Sequence, residues 1–444
     1  SGSGGSGGRT GGTGGTGGGQ GGAGSGGAGS GGMPPTGGSS GMPSTVCDRC
    51  VFDAATTDPH GSLACEDNVC KLRCDTGHAD LDKQIANGCE QHLFQWKPSN
   101  FDPNASALLA AISDTLTINC SGSLDLGGTI QPSVQICGQT LKPVMLTQAN
   151  GGPELVAIAL RGLSVTSGSK FSFAGSRPVL LAVYGDATIE GELDVSATGT
   201  TGAAGSNTGC GMGTGLGGPG VDASDASGGG GGGFGTKGGN GGKGDSSGMA
   251  GGVGGVASAE TTLSPLRGGC SGGSGGQSVT SRASAGMGGG ALQISAAGVL
   301  RVSGVIAAAG GGGKAAVGDG DAGGGGGSGG AILLEGTQIV QTSAGWLTAN
   351  GGGGGDGRGL TAGNPGSDGA HASNTPAAGG GGYSTGAPGA AGEQAAGSPA
   401  ACVLIYDCGG GGGGGGTGRI VLRADSCTLE GGRSPSAMCM PHQN

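Results

Sequence analysis

The sequence predicts an all-β fold: a right-handed parallel β-solenoid with long glycine-rich inserts on one face, preceded by a small disulfide-rich module. Three observations carry this. Of 444 residues, 120 are glycine and only 2% are aromatic, too few large apolar side chains for a conventional globular enzyme of this length. Short runs of alternating apolar residues recur in units of about 22–24 residues, three runs to a unit. The chain also carries 14 cysteines, an even number that suits disulfides in a poor core-former.

Composition excludes several classes. The net charge is -10, and no basic stripe exists to hold phosphate, so nucleic acid is not a partner. No window of about 20 residues is continuously apolar, which argues against a membrane span. A collagen period is absent, and proline is scarce at 18 residues. The chain opens on Ser1 with neither Met nor an apolar leader, read here as a signal peptide removed or left out. With the cysteines, this points to a secreted protein, extracellular or at the cell surface.

Residues 1–46 are almost wholly Gly, Ser and Thr and read as a flexible tether. Residues 47–92 hold Cys47, Cys50, Cys65, Cys70, Cys74 and Cys89. A zinc reading exists, because Cys47 and Cys50 form a CxxC near His60, His78 and His92. The irregular spacing favours three bridges instead. The remaining cysteines pair by proximity as Cys120 with Cys137, Cys210 with Cys270, Cys402 with Cys408, and Cys427 with Cys439.

Solenoid coils are expected over 93–198, with units at 106–128, 129–152, 154–176 and 178–199. The clearest unit is VLLAVYGDATIEGELDVSATG at 179–199. Within it Ile189, Leu193 and Val195 alternate with polar residues, the period of a strand. Further copies lie at 291–310 and 331–351, with a partial one at 419–427, inside a second coil region over 291–444. A β-sandwich would also show short alternating strands, but gives no reason for three runs per unit. One unit cannot bury its inward face alone, and stacked neighbours can. The glycine-rich stretches at 199–290, 310–330 and 351–418 all follow the third run of a unit, so stacked coils would send them out of one corner. Gly235, Gly238, Gly241 and Gly244 recur at threes, as in a polyproline-II-like glycine helix with three residues per turn.

Two resemblances follow from these residues. Cys74, Gly77, Asp80, Asp82, Asn87, Gly88, Cys89 and Glu90 resemble a short Cys repeat of secreted myxobacterial proteins. Leu81 stands where that pattern carries a further Cys. The resemblance implies only an exported protein. From residue 178 on, the GG-x tracts with interspersed strands resemble glycine-rich exported bacterial proteins, including the PGRS type of mycobacteria. They also resemble polyglycine-II proteins such as insect antifreezes and phage tail adhesins. These imply surface exposure and adhesive, packing or ice-facing roles.

Few constellations point to chemistry. Glu190, Glu192 and Asp194 share parity in one strand and so are expected on one outward face, a possible ligand or calcium face. GDGD at 318–321 is a single copy of a calcium-type glycine turn. Trp346 is expected in the core, with sugar stacking as the alternative. No catalytic residue is assigned, and no cofactor beyond the calcium option. The reading is a secreted structural protein, either a surface adhesin or a subunit of an extracellular filament or matrix. Its partners would be copies of itself or surface and matrix glycans. The alternatives are a carbohydrate-binding or polysaccharide-degrading β-helix protein and an ice-binding protein.

Overall fold

A computed structural model describes residues 50–442, apart from 55, 57–58, 81–82, 149–150, 246–247, 280, 360, 383, 392–393 and 400–407. The 1–46 tether, Cys47, Asp82 and Cys402 therefore lie outside the described residues.

The chain begins with two antiparallel pairs, β1 (Gly61–Glu66) with β2 (Val69–Cys74), and β3 (His78–Ala79) with β4 (Gln91–His92). Disulfides Cys50–Cys70 and Cys74–Cys89 brace them. A single turn of helix, α1 (Ser106–Leu109), precedes β5 (Leu116–Ile118) and β6 (Gly122–Asp125).

Residues 129–152 depart from the expected coil. They form an antiparallel hairpin, β7 (Val134–Ile136) with β8 (Gln139–Leu141), then β9 (Pro143–Leu146), which runs antiparallel to the next strand. The turn explains it. Cys137 and Gly138 both take positive φ, 47° and 80°, as the centre of a two-residue hairpin turn requires. The Cys120–Cys137 disulfide then ties this turn to the segment after β5.

From β10 (Leu155–Leu160) the pattern becomes regular. It continues through β11 (Leu163–Val165), β12 (Lys170–Ala174), β13 (Val179–Val183), β14 (Ala187–Ile189) and β15 (Glu192–Asp194). In later units the first two runs fuse, giving β16 (Ala291–Val302) then β17 (Val305–Ala307), β18 (Ala331–Gln341) then β19 (Trp346–Thr348), and β20 (Arg419–Leu429) then β21 (Gly432–Ser434). The short β22 (Cys439–Met440) is the last described strand and pairs with β20.

These runs stack in parallel and in register. First runs align as Val156, Val179, Leu292, Ile332 and Ile420. Second runs align as Leu163, Ala187, Leu300, Ile339 and Cys427. Third runs align as Phe171, Leu193, Ile306, Leu347 and Arg433. Each column places like residues one strand spacing apart, about 4.8 Å. Most of these residues are buried in one cluster between the sheets, with Ile158, Leu181, Ile294 and Leu334 beside them.

The first-run column is buried on its other face too. Leu155, Ala157, Leu180, Ala182 and Leu333 pack against Phe101, Leu108, Phe234, Leu263 and Leu266. That explains the unbroken apolar runs LVAIAL and VLLAV, since strands covered on both faces need no polar alternation.

The glycine stretches leave after β15, β17 and β19, neighbours in one sheet, and return into β16, β18 and β20, neighbours in the other. Between these points the glycine runs at 228–233, 323–328 and 409–416 are buried, and the tracts are hydrogen-bonded to one another with a period of three. Gly228 and Gly231 donate to Gly242 and Gly239 at 2.8 Å; Gly229 and Gly232 donate to Gly323 at 3.0 Å and Gly326 at 2.9 Å. Gly230 and Gly233 donate to Gly218 at 2.9 Å and Gly215 at 2.8 Å. The carbonyls of the same stretch accept from three others, through Gly252, Gly273 and Gly413 among them. The stretch at 323–328 repeats the rule: Gly323 and Gly326 donate to Gly410 and Gly413, Gly324 and Gly327 to Lys314 and Gly311, Gly325 and Ser328 to Gly273 and Cys270. Each tract thus shares its backbone groups among several neighbours, which satisfies buried polar groups without a sheet ladder. Side chains would not fit between them: a Cβ on Gly229 would meet the Gly273 carbonyl oxygen at 2.0 Å.

Disulfide Cys210–Cys270 spans the longest stretch and Cys427–Cys439 joins β20 to β22. Cys65 and Cys408 are also disulfide-bonded.

Candidate functional site

The strand β15 carries the acidic residues that sequence singles out. They do not form one outward row. Glu190 lies in the turn between β14 and β15 and is exposed, whereas Asp194 is buried at 8% exposure. Glu192 and Asp194 instead belong to a cluster with Lys170 and His371, two residues that the sequence reading missed. Lys170 Nζ lies 2.9 Å from Glu192 Oε1 and 3.2 Å from Asp194 Oδ2. His371 Nδ1 lies 2.7 Å from Glu192 Oε1, and its Nε2 is 3.9 Å from Asp194 Oδ1. The Ser196 N–H donates to Asp194 Oδ1 at 2.8 Å.

Lys170 was within reach of sequence. It pairs in register with Glu192, 22 residues on, which is the length of one unit. His371 carried no such signal. It sits inside the 351–418 stretch, and only the interlocking of the tracts brings it to β15.

The His371 hydrogen bond, with help from Lys170 and against partial burial, pulls the Glu192 carboxyl down to about 2. The same carboxylates raise Lys170 above its ordinary range, against the effect of burial. Glu192, Asp194 and His371 offer ligand atoms within 4.8 Å of one another. The Lys170 ammonium reaches both carboxylates and His371 bonds Glu192, so the cluster works as a polar clamp from the 351–418 stretch to the sheet. It is ill suited to glycoside hydrolysis, whose general acid needs a raised carboxyl.

The other candidates have structural duties. Asp319 pairs with Arg358 Nε at 2.9 Å. Burial alone would raise Asp321, but backbone N–H groups of Ser278, Val279, Ser281 and Gly318 donate to its carboxylate and lower it. Its oxygens serve those donors, which leaves the GDGD turn a loop-capping role. Trp346 is not in the core. It is half-buried on the face of β19 opposite to buried Leu347, and its ring lies over Gly432, where a Cβ would meet the indole at 2.4 Å. A glycine beneath it is what lets the ring lie flat on the next strand.

A second polar network was not anticipated. Ser295, Glu335 and Arg423 are neighbours across β16, β18 and β20 and are buried. Glu335 accepts from the Ser99 hydroxyl at 2.6 Å, the Ser295 hydroxyl at 2.7 Å and Gln293 Nε2 at 2.9 Å. Arg423 donates to the Ser99 hydroxyl and to the Thr262 carbonyl. Alternation predicts these side chains facing solvent. Residues 93–112 and the loop at 262–266 cover them instead.

No family model, curated protein or solved structure matches the chain.

Proposed function

We propose that the chain is a secreted structural protein, a parallel β-solenoid that displays a polyglycine-II-like bundle on one flank. The observation that carries this reading is the period-three hydrogen bonding among tracts from successive strand units. It makes a stretch of glycine, the residue that loses most freedom on ordering, into a dense layer. Such a layer gives a stiff, hydrated-surface body rather than a substrate cavity. The disulfides suit an extracytoplasmic setting, and no described helix is long and apolar enough to cross a membrane. The final short strand β22 leaves an open sheet edge, which favours end-to-end association. A contact of that kind does not close and builds a polymer. The role is that of an adhesin or filament subunit.

Negative-stain electron microscopy of the oxidised full chain at neutral pH tests this. Fibres of uniform width support the filament role. Isolated short rods remove it and leave display on a monomeric scaffold.

A further inference from the structure

Three of the chain's 5 histidines gather at one place outside the polar clamp. His78 and His92 face each other across the β3–β4 pair, with ring centroids 4.8 Å apart and edge to face. His60, at the entry to β1, stacks on His78 at 4.0 Å with the rings 7° from parallel. The three line an open cleft of about 410 Å³ together with Glu90 and Asp186, and its floor is made by Gly185 and Gly298 of the sheet body. The cleft therefore straddles the join between the disulfide-braced module and the stacked sheets.

Two features there have no structural explanation. The Nδ1 atoms of His78 and His92 are buried and have no hydrogen-bond partner among the described residues. Each such atom costs about 1–3 kcal/mol, and two side by side in one cross-strand pair are expensive to keep.

We propose that His60, His78 and His92 bind a divalent transition-metal ion of the zinc, copper or nickel type, with a carboxylate from Glu90 or Asp186 completing the site. Imidazole suits these metals, and three nitrogens plus one oxygen or water satisfy a tetrahedral zinc. As the rings lie, stacked and edge to face, they do not aim three nitrogens at one point, so binding requires His60 and its neighbours to turn about their side-chain bonds. Cys50 and Cys70 are not ligands, because they are bonded to each other. A metal held this way would staple the module to the sheet body.

The test uses the oxidised full chain. Zn²⁺ is titrated in competition with a chromophoric chelator, and Cu²⁺ is followed by electron paramagnetic resonance. The expected result is one equivalent of Zn²⁺ bound at about 1 µM or tighter, and a Cu²⁺ spectrum with nitrogen hyperfine structure. His78→Gln and His92→Gln should each weaken Zn²⁺ binding about tenfold or more, and His60→Gln should remove one nitrogen from the Cu²⁺ spectrum. Circular dichroism matched to the parent separates ligand loss from misfolding. No Zn²⁺ binding at high micromolar metal overturns the proposal. So does binding that survives all three variants, or binding lost instead in His371→Gln, which would put the ion at Glu192 and Asp194.

Discussion

The N–H of Gly229 donates to the carbonyl of Gly323 at 3.0 Å, although the two residues belong to tracts that leave the sheet after different strands, β15 and β17. Their contact makes the glycine layer one body with the stacked sheets rather than a set of separate loops. Gly229→Ala is therefore expected to destabilise by about 1–3 kcal/mol or more, because the new Cβ meets backbone that no rotamer change can move. Gly381 is the contrast. Its surroundings are open within 4 Å and its φ is not left-handed, so Gly381→Ala should be neutral or gain about 0.4–1 kcal/mol through the unfolded chain. Thermal unfolding of both variants checks the pair.

Glu335 sits at the centre of a buried polar set. Glu335→Ala takes the acceptor from the Ser99 and Ser295 hydroxyls and one of three from Gln293 Nε2, and it leaves buried Arg423 with Glu260 as its remaining carboxylate. The expected loss is about 3–5 kcal/mol. Limited proteolysis should show first cleavage within 93–112, the segment that Ser99 anchors.

Asp356 gives a pH signature. Burial pushes its carboxyl up to about 6, against donors from Ser384, Asn364 and Gly357. The folded chain thus binds this proton more tightly than the unfolded chain does. The contribution is fully present below the ordinary aspartate value of 3.8 and is lost as pH rises through about 6. Asp356→Asn should raise stability at pH 7.5, by up to about 3 kcal/mol, and change little at pH 3.5. Melting curves at the two pH values decide it.

The clamp works with the opposite sign. Glu192 is held down at about 2 against the ordinary glutamate value of 4.5. Its contribution is present above 4.5 and is lost as pH falls through about 2. Lys170 is half exposed, so solvent screening limits Lys170→Met to about 1 kcal/mol at neutral pH. Carboxyl titration by nuclear magnetic resonance should show Glu192 moving upward in that variant, and further upward in His371→Ala.

Cys210 and Cys270 close a loop with a sequence separation of 60. Replacing both by Ser should cost about 4 kcal/mol on the loop-entropy account. The expected readout is a lower melting temperature, with early cleavage between the two positions.

Much of the fold was legible. The period-2 runs mark β14 and β15 because second and third runs bury one face, whereas β13, a first run, is apolar throughout because both its faces are covered. The phase of the glycine stretches was legible too, since they begin after β15, β17 and β19 without exception in this region. The hairpin at β7 and β8 was misread because alternation looks the same in a hairpin and in a coil. Only the Cys137–Gly138 turn distinguishes them. Lys170 was missed for want of comparing one unit with the next. His371 and the Ser99–Glu335 contact had no local signal at all, because each depends on segments far apart in sequence being laid across the sheet.

Hydrogen–deuterium exchange resolved to the amides of 228–233, 323–328 and 409–416 tests the central claim most directly. The account predicts strong protection throughout all three stretches, comparable with β16 and β18, because each N–H there that donates does so to a neighbouring tract. Exchange of those amides at the rate of an unstructured chain, while β16 and β18 stay protected, would contradict it.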